Sequence, residues 1–366
     1  MDAHYKCARC GFTAPIDRWF WRCPRCGGTL YIELERPRLV LTSNPGIWRY
    51  SSIIPARPLV TLGEGNTPLV EAKFLGPAVY LKLEYLNPTG SFKDRGSAVA
   101  VSKAAELGGR VVVEDSSGNA GISISAYAGS VGIRARIYVP ADAPRGKKEL
   151  IKALGAEVVE APTREDAGKM AVSSLGVGEF YIGHSWNPWF LEGTKTLAYE
   201  LMGQLGHGPS AIILPVSAGT LLLGLYKGFS ELIGMGIVDR LPRLFAVQAM
   251  GYADIYRALH GEAPGEPSKL ADALRVKNPP RLEEAANAVR MSGGDAVVVN
   301  DHEITKAWQY LIRRGFIVEP SSATALAGYW RLRESGALSE RDEVVIVLTG
   351  SGLKYVDLMG IASGGS

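Results

Sequence analysis

Long apolar runs are absent from this sequence of 366 residues. No stretch approaches the ~18 consecutive apolar residues that mark a membrane-spanning helix, so we expect no membrane association. The first residues, from Met1 to Cys7, lack the apolar core of a secretory signal peptide. Together these two absences predict a protein of the cytoplasm.

A surplus of charge of one sign is absent as well. The chain has 40 Lys and Arg residues against 37 Asp and Glu residues, a formal net charge of +3. This near balance gives no reason to expect a nucleic acid as a partner, whereas small anionic substrates are compatible with it. The length exceeds the size at which one core usually keeps growing, so we expect two large domains and a small appendage.

Cysteine is absent after residue 26. The four cysteines form two pairs, Cys7 with Cys10 and Cys23 with Cys26, and each pair encloses two residues and precedes a glycine. Two such knuckles complete a tetrahedral Cys₄ zinc site. We predict a zinc ribbon at residues 1–36, with a structural role because four protein ligands leave no open position for catalysis. Disulfide bonds are the alternative, which a reducing compartment disfavours.

Beyond the cysteine pairs, short apolar strands alternate with helical patterns. This alternation predicts parallel β-sheets flanked by helices, an α/β fold. Helical patterns cover residues 145–154, 191–203 and 303–314. The predicted strands are residues 111–114, 135–139, 157–160, 180–182, 211–216, 244–247 and 344–348.

One lysine lies where a turn gives way to a helix. Residues 87–96 read Asn-Pro-Thr-Gly-Ser-Phe-Lys-Asp-Arg-Gly, in which Asn-Pro and Thr-Gly are turn formers. Ser91 is the predicted N-cap of a helix whose first turn carries Lys93. An amine held there can form a Schiff base with an aldehyde cofactor and, once a substrate amine displaces it, move protons as a base. The alternative is an ordinary surface lysine.

The strand predicted at residues 111–114 runs into a turn at the start of a helical pattern. Backbone N–H groups at a helix N-terminus bind anions, for example a substrate carboxylate, and an asparagine there can reach a phenolic oxygen on a cofactor ring. An ordinary turn is the alternative. The residues of this turn are Ser116, Ser117, Gly118 and Asn119.

Two further strands end in small or hydroxyl-bearing residues. The loop after residues 211–216 exposes consecutive N–H groups at a helix start, which suits a phosphate. Its residues are Ser217, Ala218, Gly219 and Thr220. Thr349 follows the strand 344–348, so its hydroxyl is expected at the carboxyl edge of a parallel sheet. Ordinary strand-to-helix turns are again the alternative.

These segments resemble, in the same order, those of the fold type II pyridoxal-phosphate enzymes. The lysine segment 87–96 is most similar to that of the threonine synthase family, as is Thr-Gly-Ser-Gly-Leu-Lys at residues 349–354. The segments 48–50, 62–69 and 319–323 resemble the same family. The resemblance therefore runs over about residues 47 to 354.

This resemblance implies a tryptophan synthase β-like fold with two parallel-sheet αβα domains, to which the zinc ribbon is appended. It implies a large domain that binds pyridoxal 5′-phosphate, at residues 37–96 and 196–366, and a small substrate-binding domain at residues 97–195. A homodimer is the habit of the family.

The resemblance also assigns roles to residues. Lys93 is the catalytic residue and holds the cofactor. The other cofactor-binding residues are Asn119, Ser217, Ala218, Gly219, Thr220 and Thr349. The substrate-binding residues are Ser116, Ser117, Gly118, Ser185 and Asn187. A neutral hydroxyl at Thr349, facing the pyridine nitrogen, favours elimination and replacement at side-chain carbons.

The chain departs from the family at residues 184–196. Phe190 stands where the family carries an arginine that binds the substrate phosphate, and a phenyl ring cannot take over that role. His184 replaces an asparagine, and Ala120 stands where threonine is common. These departures bear on which substrate is bound.

The expected activity is that of a threonine synthase-like lyase, which converts O-phosphohomoserine and water to threonine and phosphate by β,γ-replacement. The same apparatus supports β-replacement on O-phosphoserine, as in a cysteine or cysteate synthase, and dehydration of serine or threonine. A non-enzymatic alternative is a binding module built on the ribbon with a degenerate enzyme body. Residues 1–36 hold six Lys and Arg residues against four Asp and Glu residues, which predicts only weak attraction to a nucleic acid.

Overall fold

The structure of the protein, a computed structural model, describes residues 2–143, 145–263, 265–358 and 360. The chain forms two compact units, each built from separated stretches of sequence. The first comprises Met1–Asn66, Asn87–Thr89 and Lys93–Thr196, and the second comprises Thr67–Leu86, Gly90–Phe92 and Leu197–Ser366. Packing alone defines these units, so the domain boundaries expected from the resemblance stay a prediction.

The described residues form thirteen β-strands and eleven α-helices. The strands are β1 (Ala3–Cys7), β2 (Thr13–Pro15), β3 (Leu30–Leu34), β4 (Leu69–Glu71), β5 (Val79–Lys82), β6 (Val111–Glu114), β7 (Arg134–Pro140), β8 (Glu157–Ala161), β9 (Glu179–Tyr181), β10 (Ala211–Pro215), β11 (Arg243–Ala249), β12 (Ala296–Val299) and β13 (Val344–Val347). The helices are α1 (Lys93–Glu106), α2 (Asn119–Ser130), α3 (Arg145–Ala153), α4 (Arg164–Ser173), α5 (Pro188–Thr194), α6 (Thr196–Leu205), α7 (Thr220–Gly234), α8 (Asp254–His260), α9 (Leu282–Met291), α10 (Asp301–Ile312) and α11 (Pro320–Glu334).

The first unit contains two sheets. In the N-terminal sheet, β1 pairs antiparallel with both β2 and β3. In the other sheet, four parallel strands follow the order β8-β7-β6-β9. The central strand β6 reads Val-Val-Val-Glu and is buried along its whole length, as is typical of a parallel strand covered on both faces. The site residues that follow β6 and β9 therefore lie at one edge of this sheet.

The second unit is built on a six-stranded sheet with the order β12-β11-β10-β13-β5-β4. The strand β4 pairs antiparallel with β5, and the other neighbours pair parallel. The strands β10 and β13 are apolar and fully buried, which places them in the middle of the sheet. Trp308 of α10 and Leu326 of α11 belong to the buried core on one side of it. Within the described residues, no helix combines the length and apolar character needed to cross a membrane.

The observed elements confirm the α/β fold and all seven strands predicted from the sequence, with ends that shift by one or two residues. The helices predicted at 145–154 and 303–314 are α3 and α10. The single helix predicted at 191–203 is wrong, because α5 ends at Thr194 and α6 begins at Thr196. The Thr196 hydroxyl donates to the Gly193 carbonyl at 2.6 Å, and such back-bonding bends helices.

The N-cap role predicted for Ser91 is also wrong. The helix α1 begins at Lys93, and the backbone of Ser91 instead pairs with Gly350 in an isolated β-bridge. The Ser91 hydroxyl is buried and has no hydrogen-bond partner among the described residues. A short-range sequence pattern cannot reveal this, since the bridge joins residues far apart in the chain.

Candidate active site

Lys93 begins α1 on a turn that is fixed by hydrogen bonds. The Thr89 N–H donates to the Asp94 carboxylate at 2.7 Å, and the Thr89 hydroxyl donates to its other oxygen. The hydroxyl of Ser123 on α2 donates to the same carboxylate at 2.6 Å. The buried Asp94 also lies in the first turn of α1, where a negative charge is favoured by the helix dipole. The backbone that carries the Lys93 amine is therefore rigid.

The turn after β6 is tight. The Gly118 N–H donates to the Ser116 hydroxyl at 3.3 Å, and α2 begins directly afterwards at Asn119. A Cβ on Gly121 would lie 1.9 Å from the Ser116 carbonyl oxygen, so only glycine permits this approach of loop and helix. The arrangement places Ser117 and Gly118 at the N-terminal end of a helix of 12 residues, where anions bind well.

The loop after β9 carries the other predicted substrate residues. Asn187 is the N-cap of α5: its side-chain oxygen accepts from the Trp189 N–H at 2.9 Å, and the residue is 1% exposed. Pro188 occupies the first position of that helix, as is common. The Ser185 hydroxyl lies 3.4 Å from Nε2 of His184. The substrate-binding roles of Ser185 and Asn187 stay predictions.

A buried acid–imidazole pair lies in the same place, and the sequence reasoning missed it. Nδ1 of His184 lies 2.8 Å from Oε1 of Glu114, and the His184 N–H donates to Oε2 of Glu114 at 3.1 Å. Glu114 has no exposed surface, whereas the His184 side chain keeps 17% of its surface exposed. Burial raises the pKa of Glu114 to about 7 against the opposing effects of the His184 N–H and the Lys93 ammonium. Burial, and then the Lys93 ammonium, lower the pKa of His184 well below its usual range.

A second carboxyl follows in the chain. Asp115 accepts a hydrogen bond from the Tyr181 hydroxyl at 3.0 Å. Burial and the neighbouring Glu114 raise the pKa of Asp115 to about 6. The sequence does contain a signal for this cluster of ionisable groups. Two acidic residues, Glu114 and Asp115, lie at the end of the apolar strand β6, which is unusual for a buried strand.

Phe190 is fully buried and adjoins this pair. Its ring centroid lies 5.9 Å from that of His184 in an edge-to-face arrangement, and Nζ of Lys93 lies 6.0 Å from the Phe190 centroid. A Cβ on Gly96 would lie 2.3 Å from the Phe190 ring. The ring therefore occupies space beside Lys93, and its position requires that residue 96 have no side chain.

Replacing Gly96 with alanine is expected to destabilise the chain by about 1–3 kcal/mol, because the added methyl overpacks a buried ring. The matched control is Gly203→Ala, on the exposed side of α6, where an added Cβ meets nothing within 4 Å. That change is expected to stabilise by up to about 1 kcal/mol through helix propensity. Urea denaturation of both variants measures the difference, and equal effects of the two substitutions contradict the packing account.

In the second unit, the loop after β10 ends in a left-handed glycine. Gly219 has φ 85° and is the N-cap of α7, a helix of 15 residues. The Leu223 N–H donates to the Gly219 carbonyl at 2.9 Å, so the first turn of α7 begins immediately after the loop. Amides in the first turn of a helix have no acceptor within the helix and can turn toward an anion. Ser217, Ala218 and Thr220 flank this glycine in the chain, and their role in binding a phosphate stays a prediction.

Thr349 follows β13 in the same unit. Its N–H donates to the Ser322 hydroxyl at 2.8 Å, and its carbonyl accepts from the Phe92 N–H at 3.1 Å. The bridge from Ser91 to Gly350 lies next to it. The buried Ser91 hydroxyl, which has no hydrogen-bond partner among the described residues, is a polar group that a ligand can satisfy.

The four cysteines near the N-terminus come together. All four Sγ atoms lie within 4.8 Å of one another, with Cys7 and Cys26 3.5 Å apart and Cys10 and Cys23 3.6 Å apart. A tetrahedral zinc site with Zn–S bonds of about 2.3 Å has sulfur atoms about 3.8 Å apart. The four thiols therefore have the spacing that a single metal ion requires.

The comparisons with known proteins agree with this geometry. Residues 60–350 match the sequence family described as "Pyridoxal-phosphate dependent enzyme". A threonine synthase of Methanosarcina acetivorans is 36% identical over 96% of this chain and 92% of its own length. A threonine synthase of Methanocaldococcus jannaschii is 35% identical over 96% of this chain and 93% of its own length. The chain belongs to the threonine synthase family of pyridoxal-phosphate-dependent enzymes.

The fold agrees with this family as well. The processed form of threonine deaminase isoform 2 from Solanum lycopersicum has a TM-score of 0.70 with this chain, at 22% identity over 90% of this chain and 93% of that one. The donor set also fits the family's cofactor: a lysine amine suits its aldehyde, and a helix N-terminus behind a left-handed glycine suits its phosphate. The family assignment confirms the fold class and the cofactor expected from the sequence.

Proposed function

We propose that the chain is a threonine synthase, a lyase that converts O-phosphohomoserine and water to threonine and phosphate. The observation that carries this proposal is the placement of Lys93, the first residue of α1, on a turn fixed through Asp94. The similarity to two threonine synthases over almost the whole chain supports it. The retained lysine argues against a degenerate enzyme body.

Pyridoxal phosphate supplies an electron sink that stabilises negative charge on substrate carbons. We propose that Lys93 holds its aldehyde and, once the substrate amine has taken that place, moves protons at Cα and Cβ of the substrate. The other proposed contacts are Asn119 to the phenolic oxygen, Thr349 to the ring nitrogen, and Ser217, Ala218, Gly219 and Thr220 to the phosphate. Since a threonine hydroxyl carries no charge, Thr349 would suit an unprotonated ring nitrogen, which would favour replacement at side-chain carbons.

The substrate carboxylate is proposed to bind Ser116, Ser117 and Gly118. The loop that carries them is already formed, in part through the bond from the Gly118 N–H to the Ser116 hydroxyl, so binding needs little reorganisation. Ser185 and Asn187 complete the proposed substrate contacts. The Asn187 side chain already caps α5, so its contribution is to fix the loop that carries Ser185.

The four cysteines are proposed to bind one structural zinc ion. Four protein thiolates close the tetrahedron and leave no position for a substrate. We also propose a homodimer, which the resemblance implies, and the cytoplasm as its location. Light scattering of the purified protein tests the dimer, since the chain mass is 39.3 kDa and a particle of that mass contradicts it.

A second candidate is β-replacement on O-phosphoserine or dehydration of serine or threonine. Phe190 favours it, because a fully buried ring occupies the position of the family's phosphate-binding arginine. The acids Glu114 and Asp115 add no positive charge in compensation. This candidate requires that the side-chain phosphate be weakly bound or absent.

Phosphate release from O-phosphohomoserine, compared with release from O-phosphoserine and identification of the products, tests the two candidates. We expect threonine and phosphate from the first substrate, with kcat/KM at least roughly tenfold higher than for the second, because binding energy from the correct side chain lowers the barrier. Sulfide-dependent cysteine from O-phosphoserine overturns the proposal. A 2-oxo acid formed from serine or threonine, without threonine synthesis, overturns it as well.

A further inference from the structure

The pair of His184 and Glu114 has no role in the mechanism described so far, although it adjoins the catalytic lysine. Two contacts hold the pair together: the backbone N–H of His184 donates to the Glu114 carboxylate, and Nδ1 of the His184 ring lies 2.8 Å from that carboxylate. With a proton on Nδ1 shared with the carboxylate, Nε2 is the ring atom that remains for another partner. The Ser185 hydroxyl lies 3.4 Å from Nε2, and the His184 side chain as a whole keeps 17% of its surface exposed.

The imidazole also adjoins Phe190, the position at which the chain lacks the arginine of the family. The Phe190 ring contacts the His184 ring edge to face at 5.9 Å and lies under Nζ of Lys93 at 6.0 Å. If a substrate attached beside Lys93 extends its side chain toward His184, Nε2 and the neighbouring Ser185 hydroxyl are polar atoms that can meet it. A neutral imidazole binds a phosphate weakly, whereas an imidazolium binds it through a charge-assisted hydrogen bond.

We propose that His184, oriented by Glu114, recognises the side-chain phosphate of the substrate and becomes cationic when that phosphate binds. The step forms one N–H bond at Nε2 with a proton from solvent, and no electron is transferred. Glu114 is a positioning residue, which holds the ring and balances the new charge. The inference rests on the proposed function, because it concerns the phosphate of O-phosphohomoserine.

The charged and titratable groups around the imidazole fit such a coupling. Lys93 on α1 and Arg164 on α4 oppose the positive charge on His184, whereas Asp115 after β6 favours it. Asp115 is itself bonded to the hydroxyl of Tyr181 on β9. An arriving dianion adds negative charge beside Nε2 and reverses the balance in favour of the imidazolium. The proton is therefore taken up on binding and not before.

Phosphate binding is expected to weaken as the pH rises. Since the phosphate is bound by the protonated pair, raising the pH above the range in which the pair holds its proton weakens phosphate binding, by up to about tenfold per pH unit. An arginine in the same role keeps its charge at these pH values and gives no such loss. Between pH 7 and pH 9 we therefore expect KM for O-phosphohomoserine to rise steeply in the wild type.

Proton uptake on ligand binding tests the proposal directly. The probe is 2-amino-5-phosphonopentanoate, whose CH₂ group replaces the ester oxygen of O-phosphohomoserine so that the phosphonate cannot leave. The reference ligand is norvaline, which has the same amino and carboxylate ends without the phosphonate. Calorimetry of the holoenzyme at pH 8 in Tris and in HEPES, buffers of different ionisation enthalpy, gives the number of protons bound. We expect the phosphonate to bind roughly one proton more than norvaline.

The variants separate this role from a structural one. His184→Asn is expected to lose the extra proton and to raise KM at pH 7 roughly 10- to 100-fold, the value of one charged hydrogen bond. Glu114→Gln keeps the shape of its side chain and is expected to reduce the uptake. His207→Asn is the matched control, because His207 forms a surface pair with Glu343 at 2.9 Å and is expected to behave like wild type.

The outcomes are distinguishable. Equal proton uptake for the phosphonate and norvaline in the wild type overturns the inference, and this result needs no variant to fold. Extra uptake that persists in a folded His184→Asn holoenzyme overturns it too. If the wild type forms threonine without extra uptake, the inference alone is wrong. If it takes up the proton but forms no threonine, the proposed function is wrong and the phosphate-recognition role of His184 stands.

Discussion

Replacing Lys93 with alanine is expected to lower kcat by at least ~10³-fold and to abolish covalent attachment of the cofactor. The large loss follows because a single amine both holds the aldehyde and moves the protons of the substrate. Absorbance of the holoenzyme at about 420 nm, typical of an imine of this cofactor, is expected to disappear. Borohydride treatment followed by peptide mass mapping should fix the cofactor onto Lys93 in the wild type and onto no residue in the variant.

Lys152→Ala is the matched control for this experiment. Lys152 belongs to the same unit, is exposed, and pairs with Glu149 on its own helix at 3.3 Å. Removing an exposed pair of this kind changes stability by less than about 0.5 kcal/mol and leaves the cofactor in place. If borohydride attaches the cofactor to another lysine of the wild type, the assignment of Lys93 is wrong, and with it the account of the mechanism.

The helix start at Lys93 and the cysteine cluster could be predicted because each is encoded in a short stretch of sequence. Turn formers, a lysine and a helix start lie within ten residues, and each cysteine knuckle lies within five. Strands such as β6 and β10 are equally local, since a run of apolar β-branched residues of that length fits a buried parallel strand. Where a feature depends on near neighbours in the chain, the sequence was sufficient.

The pair of Glu114 and His184 was missed because its two members lie 70 residues apart. Each residue by itself carries little meaning, since a buried glutamate and a histidine in place of asparagine become informative only when they are found in contact. The Ser91 N-cap failed for the same reason, as the partner of its backbone is Gly350. The close approach of Phe190 to Gly96 likewise joins two segments that the sequence does not relate.

Removal of the metal from the cysteine cluster is expected to unfold residues 1–36. A segment of this size cannot bury enough apolar surface to fold alone, so metal binding has to supply much of its stability. Tyr5, Leu30 and Ile32 form most of its small core. We expect one zinc ion per chain in the wild type by metal analysis, none in the double variant Cys23→Ser/Cys26→Ser, and a red shift of tryptophan emission in that variant.

Arg25→Ser is the matched control, because Arg25 lies between the two mutated cysteines, is exposed, and is expected to keep both the metal and the emission. The tryptophans report the change because they hold the ribbon to the rest of its unit. Trp19 stacks on Phe180 at 4.9 Å, and Trp21 meets Tyr181 edge to face at 4.8 Å. Contacts of this kind contribute about 0.5–1.5 kcal/mol each beyond the burial of their surface.

Loss of the metal should also weaken substrate binding, because α5 contacts the N-terminal segment. The indole N–H of Trp189 donates to the Tyr5 hydroxyl at 2.8 Å, and Trp189 adjoins Phe190 in the chain. With Tyr5 released, the helix that carries Phe190 loses a buried partner, whereas the turn that carries Lys93 keeps its bonds to Asp94. We therefore expect the metal-free enzyme to retain its absorbance at about 420 nm while KM for the substrate rises. A metal-free enzyme with an unchanged melting temperature and an unchanged KM contradicts a stabilising role for the ribbon.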